Sequence, residues 1–223
     1  RLMDLPKADA TAATQKWIDG LKPSDPDLEH KLYEAIGVFE SHEVINRRLL
    51  DRLLDAKDYR ARAYATRVAG RWHDRLDDPL AILGRRARDE HIRVRLEAVV
   101  AASDVRQPKS ILVAAHAGAN DSDRFVKFAF NQTVHALANH WRPALLSGDL
   151  TFANTDHLQA VLKVYGGNDV SGVVRQQIDN PKLPVKQRQA LFALLAQTGH
   201  TTDAQLILKS ANTLPDVLDA LSS

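Results

Sequence analysis

Apolar positions recur at helical spacing along most of the chain. In DEHIRVRLEAVVAAS, residues 89–103, Ile92, Leu96, Val99 and Val100 follow the i, i+4, i+7, i+8 rhythm of one helix face. Val94, Ala98 and Ala101 make a second apolar stripe beside it. A helix that is apolar over two adjoining faces needs more than one neighbour to cover it. The same rhythm predicts helices over Ala8–Leu21, Leu28–Phe39, Val44–Leu54, Pro79–Arg88, Pro108–Ala117, Arg124–Leu137, His157–Tyr165, Val185–Gln197 and Asp203–Lys209, with an end segment over Thr213–Leu221. Asp77 or Asp78 can cap the helix entered at Pro79, where a first-turn proline is tolerated, and Pro108 repeats that entry. Gly166-Gly167-Asn168 reads as a helix stop. Strand signals are scarce, and Val161–Tyr165 is the strongest rival to an all-helical reading.

The phrase also repeats. KDYRARAYATRVAG, residues 57–70, precedes it by 33 residues, with Arg60 aligned on Arg93, Arg62 on Arg95 and Ala65 on Ala98. Residues 121–129 fit the same frame at an offset of 31, and a weaker copy begins at Val185, with Lys186 and Arg188 in the basic positions. A period in the low thirties suits a helix–turn–helix unit and is too short for an independent domain. The expected architecture is an all-α, right-handed α-solenoid of about five helix pairs. Residues 1–22 form a lead-in or capping helix, 23–212 the repeat array and 213–223 an end segment.

On a helical wheel Arg95 falls inside the apolar arc, between Ala102 and Ile92/Val99, while Arg93 falls on the polar side; Arg62 is the equivalent of Arg95 one repeat earlier. A guanidinium at an apolar seam needs partners, because an unpaired buried charge is costly. Arg62 and Arg95 are therefore expected to bond carboxylates or helix-end carbonyls at the turns between repeats, with Asp58 and Asp89 as acceptors.

Composition narrows the chemistry. The chain of 223 residues is 44% hydrophobic and 26% charged, an ordinary balance, and its formal charge of +2 does not by itself call for a nucleic-acid partner. Without cysteine it holds no disulfide, thiolate metal site or covalently attached haem. No apolar run approaches the roughly 20 residues that span a bilayer. The start at Arg1, without Met, suggests a processed chain or a piece of a longer one.

Catalytic and metal motifs fail at specific positions. His42-Glu43 begins like H-E-x-x-H, but Asn46 stands where the second histidine belongs. His135 and His140, five apart, are rotated off a common helix face. Ser171-Gly172 does not complete G-x-S-x-G, and no phosphate-cradling glycine loop occurs. Catalytic, cofactor-binding and metal-ligating residues are accordingly expected to be none. Trp17, Trp72 and Trp141 each close a helical segment and read as packing residues whose indole N–H meets a carbonyl.

Charge is concentrated instead. From Arg47 to Arg95, 14 lysines and arginines stand against eight carboxylates. Arg47, Arg48, Arg60, Arg71, Arg85, Arg86 and Arg93 are the candidate interaction face, for an acidic partner or, as the alternative, a nucleic-acid backbone. The run suggests no base stacking, which disfavours the alternative. Ion pairs within helices, such as Arg93 with Glu97, are the plainer reading of the same charges.

Asp89, Val94, Arg95 and Ala98 give D-x-x-x-x-V-R-x-x-A, which resembles the HEAT-repeat signature over about Leu28 to Ser210. Residues 25–46, 61–83 and 89–103, and the group Leu137, Trp141-Arg-Pro-Ala-Leu, Gly148 and Phe152, further resemble a group of bacterial multidomain proteins. Those proteins join a propeller-type sugar- or alcohol-dehydrogenase-like domain, a HEAT-repeat segment and a c-type haem domain. The resemblance implies a non-catalytic scaffold that is exported or periplasmic. Its partners would be other domains of the same polypeptide or another protein, and haem c would lie elsewhere in the parent. The group's propeller and Cys-x-x-Cys-His motif have no counterpart in these residues.

Overall fold

A computed structural model describes residues 5–119, 123–166, 169–179 and 183–198, and the isolated positions 205, 207 and 208. The predicted end segment, residues 213–223, and most of the predicted helix at 203–209 lie outside the described residues.

Side-chain oxygens, and at α6 the ring nitrogen of His91, fix six of the helix starts among the described residues. Asn46 accepts the Leu49 amide, Asp58 that of Arg60, Asp78 that of Ala81 and Asp123 those of Phe125 and Val126, each relieving amides that a first turn leaves unpaired. The helices are α1 (Lys7–Asp19), α2 (Leu28–Ser41), α3 (Arg47–Leu54), α4 (Tyr59–Arg71), α5 (Pro79–Arg86), α6 (Ile92–Asp104), α7 (Ser110–Gly118), α8 (Arg124–Ala136), α9 (Ala138–Ser147), α10 (Thr155–Tyr165), α11 (Asp169–Ile178) and α12 (Val185–Thr198). Among the described residues there is no strand; Val161–Tyr165, the rival strand, is the second half of α10. That helix stops at Gly166, where φ is +65° and a side chain would be strained.

The helices stack in two layers. α2, α4, α6 and α8 lie side by side, and α4 against α6 is the most extensive contact. α3, α5 and α7 cover them, each bridging two neighbours of the first layer, and α10 packs on α7 and α8, so the chain is an α-solenoid. The core runs unbroken between the layers, from Leu32 and Ile36 through Leu50, Leu53, Val68, Leu83, Val99, Ile111 and Val134. Complete burial of one such side chain stabilises by about 1.5–3 kcal/mol.

α4 and α6 approach closely because the residues between them are small. A Cβ on Gly70 would collide with the Cβ of Ala101 and stand 3.0 Å from its Cα. The second apolar stripe, Val94, Ala98 and Ala101, is buried, as expected of a helix with neighbours on two sides.

The C-terminal half differs from expectation in two places. α9 follows α8 after the single residue Leu137, carries Pro143 inside it and ends at Gly148. α11 lies where no helix was predicted, because Ser171-Gly172 lowers the local propensity. Among the described residues α12 packs on α10 and α11, so its pairing is not confined to the expected one with 203–209.

Candidate functional site

Arg62 is 8% exposed, and all five of its N–H donors have acceptors. Nε and Nη2 form a two-pronged pair with the Asp89 carboxylate at 2.8 and 2.9 Å. Nη1 donates to the Ala56 and Lys57 carbonyls at 2.9 and 2.8 Å, and Nη2 also reaches Glu90 at 3.3 Å. The guanidinium thus joins the turn that enters α4 to the turn that enters α6. Burial pushes the Asp89 carboxyl up, but the bonds from Arg62 and the His91 amide outweigh it and hold the group below its ordinary 3.8.

Of the other three residues of that expected set, Asp89 is the acceptor just described. The Asp58 carboxylate takes no bond from the Arg62 guanidinium; it caps α4 and pairs with Arg60, whose hydrogen bond holds it below its ordinary pKa. Arg95 is half-buried and donates to the Asp89 and Glu90 carbonyls at 3.0 and 2.9 Å, so it braces its own turn. Asp89 serves the preceding repeat.

Sequence reasoning missed two further links. Glu29 accepts the Lys57 and Asp58 amides at 2.8 and 2.7 Å, bonding α2 to the same turn. Glu43, at φ 53°, takes Arg71 at 2.5 Å and Arg75 at 2.7 Å, and these bonds hold its carboxyl low. Nothing in the periodicity marks either residue, because each acts across about 28 residues onto a neighbouring unit.

The basic run does not make one face. Arg47, Arg48 and Arg85 lie on α3 and α5, whereas Arg60, Arg71 and Arg93 lie on the opposite layer, on α4 and α6. Arg86 is largely buried and bonds the Leu54 carbonyl at 2.5 Å, with Asp55 and Asp89 at 3.6 Å, so it braces the stack instead of facing a partner. Arg47 pairs with Asp51 and Arg93 with Glu97, each within its own helix. The contiguous charge in the sequence is split because successive helices alternate between layers.

The layer of α2, α4, α6 and α8 carries a surface the linear reading did not reveal. A groove of about 590 Å³ opens over α2, α4 and α6, lined by His30, Tyr33, Tyr64, Arg60, Arg67 and Arg93. Rings step across it: His30 stacks near Tyr33 at 6.0 Å, Tyr33 meets Tyr64 at 4.7 Å, and Tyr59 stacks on His91 at 3.4 Å. The Tyr64 hydroxyl donates to Glu40 at 2.5 Å, and burial with that bond pushes its pKa well above the ordinary 10.0. Aromatic and basic residues do interleave here, because the rings come from α2, α4 and the entry to α6 while the chain order separates them. Arg67, exposed on α4, makes no hydrogen bond or ion pair among the described residues. It was not among the expected arginines, although Arg60, Tyr64, Arg67 and Arg71 keep the i, i+4, i+7, i+11 spacing of one helix face.

Arg67 and Glu97 also line a second depression of about 430 Å³ with Arg71 and Val100. Val100 in turn lines a third, about 360 Å³, with Leu96, Phe125 and Phe128. Val100, Phe125 and Phe128 are 46%, 56% and 66% exposed. Shared residues make the three depressions one trough across four helices, basic and aromatic at one end and apolar at the other.

The tryptophans separate. Trp72 and Trp141 are fully buried, while Trp17 is 43% exposed on α1. The Trp141 indole donates to the Val134 carbonyl at 2.9 Å from within α9, whereas the buried Trp72 Nε1 has no acceptor. His42 ends α2, and its Nε2 has no bonding partner. No group of three or more His, Asp or Glu among the described residues is placed to hold a metal ion. No helix among them is long and apolar enough to cross a membrane.

Neither a curated protein nor a solved structure matches the chain. The family model of HEAT repeats matches residues 46–134, which run from the N-cap of α3 into α8 and contain the Arg62–Asp89 junction, so this segment is similar to HEAT repeats.

Proposed function

We propose that this chain is a non-catalytic scaffold, the HEAT-repeat segment of an exported or periplasmic redox protein that sets the distance between a propeller-type dehydrogenase domain and a c-type haem domain. The observation that carries the scaffold reading is the junction of α4 and α6. Five donors of one buried arginine fix two successive turns, which makes the stack stiff enough to position whatever it joins or binds. The redox assignment is supported by the phrases at 25–46, 61–83, 89–103 and 137–152, an argument by resemblance. In this reading haem c belongs to the parent polypeptide, and the chain's partners are its neighbouring domains or a protein acceptor.

The test is the coding sequence on both sides of this segment, followed by haem staining of the full product. A propeller domain on one side and a Cys-x-x-Cys-His motif on the other are expected. If neither is encoded, the redox reading fails and a HEAT-repeat interaction module remains.

A further inference from the structure

The trough across α2, α4, α6 and α8 has a chemistry of its own. We infer that it binds a short segment of a partner protein that places a carboxylate on Arg67 and two apolar side chains on the shelf of Leu96, Val100, Phe125 and Phe128. This deepens the scaffold reading and rests on it, since it names where and by what the scaffold is engaged.

Three observations carry the inference. The first is the state of the arginines. Arg60 is paired with Asp58, Arg71 with Glu43 and Arg93 with Glu97, whereas Arg67, between them, keeps its guanidinium available. A planar cation in a groove lined by rings suits a carboxylate, which it can take through two parallel N–H bonds.

The second is the continuity of the surface. Arg67 and Glu97 link the aromatic groove to the middle depression, and Val100 links that to the apolar shelf. Neighbouring packed helices lie about 8–10 Å apart, so crossing from α2 to α8 covers roughly 25–30 Å. An extended strand rises about 3.3 Å per residue, so roughly eight or nine residues span it.

The third decides between classes of partner. A nucleic-acid backbone needs a row of unopposed cations. Here Asp58, Glu40, Glu97 and Asp104 line the same trough, and its far end is apolar. A mixed acidic and apolar peptide matches both ends; a polyphosphate matches neither the carboxylates nor the shelf. Exposed apolar side chains grouped in this way mark interaction sites.

The experiment is selection of a random twelve-residue peptide library displayed on phage against the folded chain. The enriched peptides are then synthesised with a fluorophore and titrated by anisotropy, beside a labelled twelve-nucleotide oligothymidine. Enriched sequences should carry Asp or Glu together with spaced aromatic or aliphatic residues. Arg67→Glu and Phe128→Ser should each weaken binding about tenfold or more, the scale of losing one charge-assisted bond or one anchor. Both residues are exposed, so unchanged melting curves will show that the variants stay folded. Enrichment of peptides indifferent to both substitutions would overturn this site while leaving the scaffold reading intact. No enrichment over an unrelated helical protein, or oligothymidine binding that Arg67→Glu abolishes, would overturn the inference, and the latter would also count against a protein-binding scaffold.

Discussion

Arg62 and Trp141 hold comparable places in the stack. Each is a large side chain, buried at a junction between units, and each has its polar atoms satisfied by a neighbouring segment. Around Arg62 the junction is ionic and directional, with two carboxylates and two carbonyls from two turns. Around Trp141 it is a plug of rings and aliphatic groups. The indole meets Tyr165 edge-on at 5.3 Å, Arg142 lies 5.5 Å from the same ring and bonds its hydroxyl, and Leu150 and Phe152 are buried nearby in the chain. Five directed bonds tolerate only arginine and aspartate at fixed places, so they leave a repeated phrase in the sequence. A plug needs volume, which many sequences supply. The HEAT-repeat match accordingly includes the first junction and ends, at residue 134, before Trp141.

The largest expected effect breaks the ionic junction. Arg62→Ala leaves the Asp89 carboxylate, whose side chain is 6% exposed, without its main counter-charge, and strips two carbonyls of their donor. Removing one partner of a buried pair costs about 3–5 kcal/mol. Urea unfolding should show that loss, and hydrogen exchange should place it in α4 to α6 and not in α9 and α10. Arg62→Lys should not restore it, since an ammonium cannot make the two-pronged pair. Arg95→Ala should cost less, because Arg95 is half-buried. Equal losses for Arg62→Ala and Arg95→Ala would remove the distinction between the two repeats.

Trp141→Phe probes the other region. It keeps an aromatic ring but removes the bond to Val134 and part of a fully buried volume, at a cost of about 1–3 kcal/mol. The loss should appear in α9 and α10 by hydrogen exchange, the mirror of Arg62→Ala. Protection lost equally in both halves would mean that the two junctions unfold as one unit.

The legibility of the sequence follows the same division. Helices α2 to α8 fall within a few residues of their predicted bounds, since their caps and stripes are local. Pro108 is the exception, standing outside α7, which begins at Ser110. α9 was not legible as a separate helix because Pro143 interrupts the usual rhythm. The Arg62 role was legible from its place in the apolar arc, but its carboxylate partner was not unique: Asp58 is near in sequence, and only the stacking of α4 on α6 chooses Asp89. The trough was illegible for a related reason. Tyr33, Tyr64, Arg67 and Phe128 are far apart in the chain and become neighbours only through the side-by-side packing of four helices.

A smaller effect tests closeness within the ionic region. Gly70→Ala sets a methyl against Ala101, where α6 must move. Overpacking costs about 1–3 kcal/mol, and the better helix propensity of alanine returns about 1. A net loss of about 1 kcal/mol is expected in chemical denaturation. Gly84→Ala is the control: no atom stands within 4 Å of its added Cβ, so it should stabilise by about 0.5–1 kcal/mol. If both substitutions stabilise alike, α4 and α6 are not in the close contact described.

The smallest effect lies on the seam between the regions. His116 of α7 and His157 of α10 meet edge to face at 5.3 Å. Burial lowers both below the ordinary 6.5, and Arg88 pushes each the same way; Asp156 opposes this only at His157. The folded state therefore favours neutral rings. As pH falls below about 6.5 the unfolded chain takes up protons that the folded chain resists, so stability declines with acidity in that window. The same contribution is fully present above 6.5. His116 is exposed, so solvent screens its part and most of the slope should belong to half-buried His157. His157→Gln should flatten the dependence of the urea midpoint between pH 7.5 and 5.5 more than His116→Gln does. Histidine resonances followed by NMR should titrate below the free value. If both titrate at or above it, the rings do not meet as described, and α7 and α10 are joined less closely than the ionic stack on one side and the aromatic plug on the other.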